Sequence, residues 1–416
     1  MNLYAAISLV TLIAVILLGF FRKVNVGLLA ILAAALLGSA LGLSDSTIIN
    51  GFSASLFINL LGVSFLCSAA ISNDGALETV SKKFLRLAGG RSFVAPIMIY
   101  VIGFAVAAIG PGCVPALGIV SALSLPLGKS TGYNAVMLAA IGDIGSYAGR
   151  FSPLTPESLL INELASAQGI TGFQTPVLIY STITTILLSV VAFVYFKGYR
   201  VSQSGGVQEE VPPLNGKQIL TLIAFLVVIL ACAFWGRNVG LIAFAAGIVL
   251  ILFRAVDEQA TLKGISWSTL LLVTGMGMLM EIVMEAGGVE LLSSGLANVM
   301  NSHTAIAIQG LTAGIMSWFS SAIGVVWPTL IPTVSDIAQT VGVSSEGLIT
   351  IMCLTASFAG LSPASTAGGL ILAAKSTEPD FTKDEENKLF VKLFVLSVLM
   401  VLLIVLAGLL GLYSIL

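Results

Sequence analysis

Residues 139–160 read AAIGDIGSYAGRFSPLTPESLL. The segment is apolar enough for a membrane span, yet it holds Asp143, Arg150, Pro153 and glycines at 142, 145 and 149. A charge at the bilayer centre costs about 2.5–3.5 kcal/mol on insertion scales, so an intramembrane acid or base needs a reason to be there. Breaking a helix in lipid frees backbone N–H and C=O groups that must find partners. The contents therefore predict a broken helix whose half-helix N-terminus attracts an anion and whose freed carbonyls coordinate a cation.

Composition sets the surroundings of this segment. Of 416 residues, 57% are hydrophobic and only 9% charged, against about 25% charged in soluble domains. Mean hydropathy is +1.06. The apolar runs are about 17–25 residues long, as in helical spans, and lack the roughly 10-residue alternation of a barrel. The reading is an all-α integral membrane protein. Run 3–20 lacks a charged leader and a cleavage site, so it reads as a retained helix. No basic tract points to nucleic acid. Cys67, Cys113, Cys232 and Cys353 lie in apolar segments without metal spacing and read as small buried hydrophobes. The single His303 sits at a span edge, which disfavours a histidine proton relay.

Spans are predicted near 3–20, 25–43, 54–72, 134–164 and 174–196. A polar linker covers 197–217. A second set follows near 218–235, 238–254, 266–285, 346–375 and 388–414. Between the third and fourth span of each set lie an amphipathic stretch (75–90 and 287–300) and an apolar stretch interrupted by Gly and Pro (92–128 and 304–334). The latter read as re-entrant hairpins, because a water-exposed loop would be more polar. On this reading sixteen of the 18 Lys and Arg fall on one side, Arg237 falls on the other, and Arg150 lies within a span. Cytoplasmic loops carry the Lys/Arg excess. Both termini are thus expected outside and the linker in the cytoplasm of a cell with an inner (plasma) membrane.

The two halves, 1–196 and 218–416, share motifs in order. AIGPGCVPAL at 108–117 faces AIGVVWPTL at 322–330, AGRFSP at 148–153 faces AGLSP at 359–363, and GALE at 75–78 faces GGVE at 287–290. Five crossings per half, an odd number, turn the second half upside down. An inverted repeat with broken helices in matching places is the sequence mark of secondary transporters. Gly149, Ser152, Pro153, Thr155 and Pro156 are expected to break the first helix. Gly360, Ser362, Pro363, Ser365, Thr366 and Gly368 are expected to break the second, with the hydroxyls as donors.

Arg150 reads as a planar fork for a substrate carboxylate, or as a structural partner of Asp143 or of freed carbonyls. Asp143, two turns earlier, reads as its counter-ion, a proton carrier or a cation ligand. Glu157 and Glu163 are expected to be snorkelled or solvated near a span edge, as are Glu281 and Glu285. Trp318 and Trp327 flank the second hairpin tip in a packing or interfacial role.

The stretches RKVNVGLLAILAAALLGSALG from residue 22, INGFSASLFINLLGVSFLCSAAISNDGALE from residue 49, GGR at 89–91 and GRFSPLTP at 149–156 resemble the MatC-type malonate/dicarboxylate carriers of the ion transporter superfamily, relatives of the divalent anion:sodium symporters. The resemblance implies an elevator-type transporter. It would be a homodimer with a scaffold domain and a transport domain, binding substrate between the hairpin tips and the broken helices. The substrate-binding candidates are then Arg150, Ser152, Thr155, Gly110, Pro111, Gly112, Gly324, Ser362, Ser365 and Thr366. The ion-coupling candidates are Asp143, Ser146, Gly149, Ser321 and Gly360, with sodium or a proton as coupling ion and no other cofactor. The symporters carry Ser-Asn-Thr at both tips, whereas this chain has Gly110-Pro111-Gly112-Cys113 and Gly324-Val325-Val326-Trp327. Arg150 stands where the malonate-type motif carries a small residue, which bears on malonate as the substrate.

The expected function is import of a small dicarboxylate of the C3–C4 type. The rivals are a cation/proton antiporter of the same superfamily and the membrane subunit of a binding-protein-dependent carboxylate transporter. No nucleophile–base pair, metal cluster or Walker motif suggests an enzyme or direct ATP drive.

Overall fold

The computed structural model describes residues 3–22, 24–69, 79–80, 83, 94–200, 213–235, 238–265, 267–363, 365–375 and 381–413. The amphipathic stretch 75–90 and most of the linker 197–217 lie largely outside them. The described residues form helices without strands. The first half holds α1 (Leu3–Arg22), α2 (Val26–Ala40), α3 (Asp45–Asn50), α4 (Ala54–Ser68), α5 (Ala95–Ala108), α6 (Cys113–Thr131), α7 (Ala135–Gly149), α8 (Pro156–Ser166) and α9 (Gln174–Tyr195). The second half holds α10 (Gly216–Trp235), α11 (Val239–Leu252), α12 (Glu258–Lys263), α13 (Trp267–Glu285), α14 (Gly288–Ala297), α15 (Ala305–Phe319), α16 (Val334–Val341), α17 (Ser345–Ala359), α18 (Thr366–Lys375) and α19 (Lys383–Leu409). Asp45–Ser68, α9, α13 and α19 are long and apolar enough to cross a membrane.

Helices in lipid gain little from apolar burial against each other, so small residues that let backbones approach decide where they cross. Asn25 and Asn238 cap α2 and α11 with the same tripeptide, Asn-Val-Gly. Gly27 then meets the backbone of α13 at Leu271, where Gly275 answers it. Gly240 meets the backbone of α4 at Ile58 and Asn59, where Gly62 answers it. A methyl on any of these four glycines would collide with the opposing main chain. The glycines at 142, 145 and 149 serve the same purpose. Gly145 and Gly149 lie against the carbonyls of Tyr100 and Phe104 on α5, and Gly103 of α5 lies against the Gly142 carbonyl. Gly149 is accordingly the last residue of an intact helix, packed tight, and the break begins one residue later.

At 15 residues, α7 is about 22 Å long, short of the roughly 30 Å hydrocarbon thickness. Residues 150–155 leave the helix, and Thr155 restarts it. Its Oγ1 donates to the carbonyls of Arg150 and Ser152 and accepts from the Ser158 N–H, with Pro156 at the first helical position. α17 ends likewise at Ala359, and α18 begins at Thr366. Within that gap the Ser365 N–H donates to the Ser362 carbonyl and the Gly368 N–H to the Gly360 carbonyl. Gly368 thus lies inside the first turn of α18, not in the break.

α5 and α6 meet at a turn, with Gly110 at φ +137° and Gly112 at φ +76°. The second hairpin turns earlier than its sequence suggested. α15 ends at extended Ser320 and Ser321, followed by a π-helical turn Ala322–Val326, the short turns Trp327–Leu330 and Ile331–Thr333, and α16. Gly324 has no left-handed backbone; it is small because Leu272 of α13 packs where its side chain would stand.

Candidate functional site

Both hairpin turns and both helix breaks converge on one cavity of about 50 Å³, walled by Cys113, Val114, Leu117, Tyr147, Arg150, Ser317, Ser321, Ala322, Ile323, Ala356, Ser357, Gly360, Ser365, Thr366 and Ala367. Arg150 is its single charged wall residue and is only 6% exposed. Its guanidinium is held on three sides. Nη1 donates to Ser357 Oγ at 3.2 Å, Nη2 lies 3.3 Å from Glu157 Oε1, and the Trp327 ring centre lies 4.8 Å from Cζ. Ser357 in turn donates to the Cys353 carbonyl, which fixes its lone pairs toward the arginine. Arg150 Nε, the Tyr147 hydroxyl and Trp327 Nε1 are buried with no acceptor among the described residues. A donor left unmade in a low-dielectric interior costs about 1–3 kcal/mol. On the cavity wall itself, Arg150 Nε and the Tyr147 hydroxyl are the donors left open, while Glu157 Oε2 and both Asp143 oxygens, off that wall, are buried acceptors without a partner among the described residues.

Glu157 lies elsewhere than its sequence position suggests. It was expected near a span edge and solvated; it is 3% exposed and sits against the first hairpin turn. Its Oε1 accepts the Cys113 N–H at 2.8 Å, the first N–H of α6, where a carboxylate also complements the helix dipole. Gly112 is favoured as glycine by its φ of +76°, and a Cβ there would also push the Glu157 carboxylate aside. The break explains the misplacement: residues 150–155 turn without advancing at helical pitch, so α8 starts close to where α7 ended.

The proposed Arg150–Asp143 pair is corrected, because the partner is Glu157. Seven helical residues separate Asp143 from Arg150 by about 10.5 Å along the axis, beyond the i,i+4 reach of a short carboxylate. Asp143 is fully buried, and neither of its oxygens has a hydrogen-bond partner among the described residues. Ser146, expected beside it as a cation ligand, spends its hydroxyl on the Gly142 carbonyl at 3.1 Å.

Of the other predicted residues, Ser321, Gly360, Ser365 and Thr366 stand on the cavity wall with Arg150. Ser321 Oγ also accepts the Gly324 N–H at 3.2 Å. Ser152 and Thr155 build the first break and Ser362 the second. Gly110 and Gly112 shape the first turn, while Gly149 and Gly324 serve packing. Pro111 faces a second cavity of about 190 Å³, walled by Leu60, Ser64, Cys67, Ser68, Pro111, Val114, Pro115, Pro156, Glu157, Gly264, Thr269, Leu270 and Ile323. Val114 and Ile323 belong to both walls, so the two cavities adjoin. Cys67, Cys113 and Cys353 are buried and free. Cys232 falls on α10, and its side chain is outside those described. Trp318 packs on Phe394 and donates to Ser397 Oγ at 3.0 Å. Among the described residues no three His, Cys, Asp or Glu gather to hold a metal ion. Tyr147, Ser317 and Ser357 were not singled out in the sequence; each lies on the face of a helix that ends at a turn or break, which was the available signal.

Residues 3–150 match the family described as the dicarboxylate carrier protein MatC N-terminus. The fold is similar to that of the Alcanivorax borkumensis YdaH transporter, a crystal structure, with a TM-score of 0.61 over 87% of each chain at 12% identity. At that identity the likeness is one of fold. No curated protein matches the chain.

Proposed function

We propose that this chain, a transporter whose residues 3–150 belong to the MatC dicarboxylate carrier family, is a secondary active importer of a C3–C4 dicarboxylate. One observation carries the reading: the donor-rich cavity, with Arg150 Nε and the Tyr147 hydroxyl on its wall and no acceptor for either among the described residues. Donors without acceptors call for an acceptor-rich ligand, and a carboxylate matches a guanidinium fork. The N-terminus of α18, at Thr366 and Ala367 on the wall of the same cavity, offers a seat for a second carboxylate. Arg150, the one charged residue on the cavity wall, is the wrong charge for a cation antiporter's central site.

The inverted repeat and the elevator movement are part of this proposal. The contacts support the repeat because they come in pairs that exchange halves. α2 packs on α13 as α11 packs on α4, through Gly27–Gly275 and Gly240–Gly62. α5 packs on α7 as α15 packs on α17, and α9 on α7 as α19 on α17. The moving unit would comprise the two hairpins with α7, α8, α17 and α18, and α2, α4, α11 and α13 would belong to a dimeric scaffold. Asp143 is the candidate group for a coupled proton or sodium ion. The termini lie outside, and the linker lies in the cytoplasm of a cell with an inner (plasma) membrane.

The test is uptake by proteoliposomes offered mono-, di- and tricarboxylates, with sodium and pH gradients imposed separately. Concentrative uptake of a C3–C4 dicarboxylate under one gradient is expected. Equal uptake of cations or of uncharged solutes would refute the site assignment. A cysteine at position 205 that reacts from outside sealed cells would refute the orientation.

A further inference from the structure

The Arg150–Glu157 contact has the geometry of a provisional pair. A charge-assisted N–H···O bond runs about 2.7–2.9 Å, and a strong arginine–carboxylate pair is two-pointed. Here one nitrogen meets one oxygen at 3.3 Å, Arg150 Nε is unbonded, and Glu157 Oε2 has no partner among the described residues. The carboxylate also stands at a boundary. Arg150 faces the central cavity, whereas Glu157 faces the adjoining 190 Å³ cavity. Because Glu157 is the second residue of α8, its side chain can swing into that cavity by side-chain rotation alone, leaving the helix in place.

We propose that Glu157 is a built-in stand-in for a substrate carboxylate: it neutralises Arg150 in the empty carrier and gives way when the substrate's carboxylate takes the Nε–Nη2 fork. This rests on the reading that the central cavity binds a dicarboxylate. The physical need is plain. A carrier that accumulates its substrate must return empty, and an unpaired guanidinium inside a low-dielectric protein opposes that return. The internal carboxylate removes this obstacle. Its weak geometry keeps displacement feasible, because the incoming carboxylate gains a two-point contact where Glu157 made one. Release of the Cys113 N–H couples the exchange to the first hairpin turn.

The experiment uses the full-length protein with radiolabelled succinate as the probe, comparing wild type with Glu157→Gln. Gln keeps the size of the side chain and an oxygen for Cys113 but no longer competes for Arg150. Expected are succinate binding about tenfold tighter in detergent and, in proteoliposomes, a ratio of succinate–succinate exchange to net uptake raised at least tenfold, because only the empty return step is impaired. Weaker binding, or exchange and net uptake falling in parallel in a variant with normal melting, would overturn the proposal. Should Glu157→Gln fail to fold, Glu157→Asp, one methylene shorter, should bind succinate more tightly than wild type, and equal or weaker binding overturns it. Wild type that neither binds nor exchanges succinate or any other C3–C4 dicarboxylate overturns the functional reading and this proposal together. Wild-type exchange with unchanged ratios in the variants overturns this proposal alone.

Discussion

Gly112→Ala isolates the contact on which the site geometry depends. Gly112 has φ +76°, where an L-residue pays about 1–2 kcal/mol. A methyl there would also overlap Glu157 Oε2, forcing the carboxylate off the Cys113 N–H, and a hydrogen bond to a charged group contributes about 1.5–3 kcal/mol. The expected total is about 2.5–5 kcal/mol. The same substitution in an Arg150→Gln, Glu157→Ala background should cost only the backbone part, about 1–2 kcal/mol, because both charges and the obstructing oxygen are gone. Gly169→Ala supplies the benchmark: its φ is +73°, with nothing within 4 Å of an added Cβ. The assay is denaturant unfolding in mixed micelles followed by helicity. Equal costs of Gly112→Ala in the two backgrounds would refute the placement of Glu157 against the hairpin turn.

Gly62→Leu should destabilise the fold by about 1–3 kcal/mol or more through overpacking against the Gly240 carbonyl, whereas Gly118→Ala, with open space around it, should be neutral or gain up to about 1 kcal/mol in the same assay. Tyr147→Phe should leave melting unchanged or raise it, since the hydroxyl has no partner among the described residues, and should weaken dicarboxylate binding about 3- to 10-fold; unchanged affinity would remove Tyr147 from the site. Asp143→Asn should melt no lower than wild type, because it exchanges an unpartnered buried carboxylate for a neutral amide, and should reduce gradient-driven accumulation to equilibration. Accumulation that persists would exclude Asp143 from coupling.

The class of fold and the two breaks were legible because their signals are strong in lipid. Pro153 and Pro156 after Gly149, and Ser362 and Pro363 after Gly360, leave an apolar helix no way to continue. Glu157 was illegible because a sequence gives the number of residues after a break but not their rise. A span taken to end near 164 puts the acid near an edge, whereas the turn at 150–155 returns it beside the arginine. The glycines of α7 carried two meanings, breaker and close packing, and only the carbonyls of Tyr100 and Phe104 decide for packing. The repeated Asn-Val-Gly at 25–27 and 238–240 was readable and is the most local sign of paired halves, since each asparagine caps a helix and each glycine meets its opposite backbone.

The proposed two-fold relation of the halves does not extend to the charges, and this bears on selectivity. The first half brings Tyr147 and Arg150 to the cavity wall; the second brings Ser317, Ser321, Ser357, Ser365 and Thr366, with no charge. In the proposed dicarboxylate site one carboxylate would therefore face a guanidinium, and the other would face hydroxyls and the N-terminus of α18. A helix end contributes about 0.3–1 kcal/mol to holding an anion, and up to about 2 kcal/mol when partly buried. One hydroxyl bond to that carboxylate contributes about 1.5–3 kcal/mol more. At 1.4 kcal/mol per factor of ten, the second carboxylate then adds roughly 20- to 4,000-fold in affinity. Butyrate should accordingly displace bound succinate with an affinity at least about twentyfold weaker than succinate itself. Equal affinities for the two would mean that nothing holds a second carboxylate, and the assignment of that seat to the hydroxyls and the end of α18 would then be wrong.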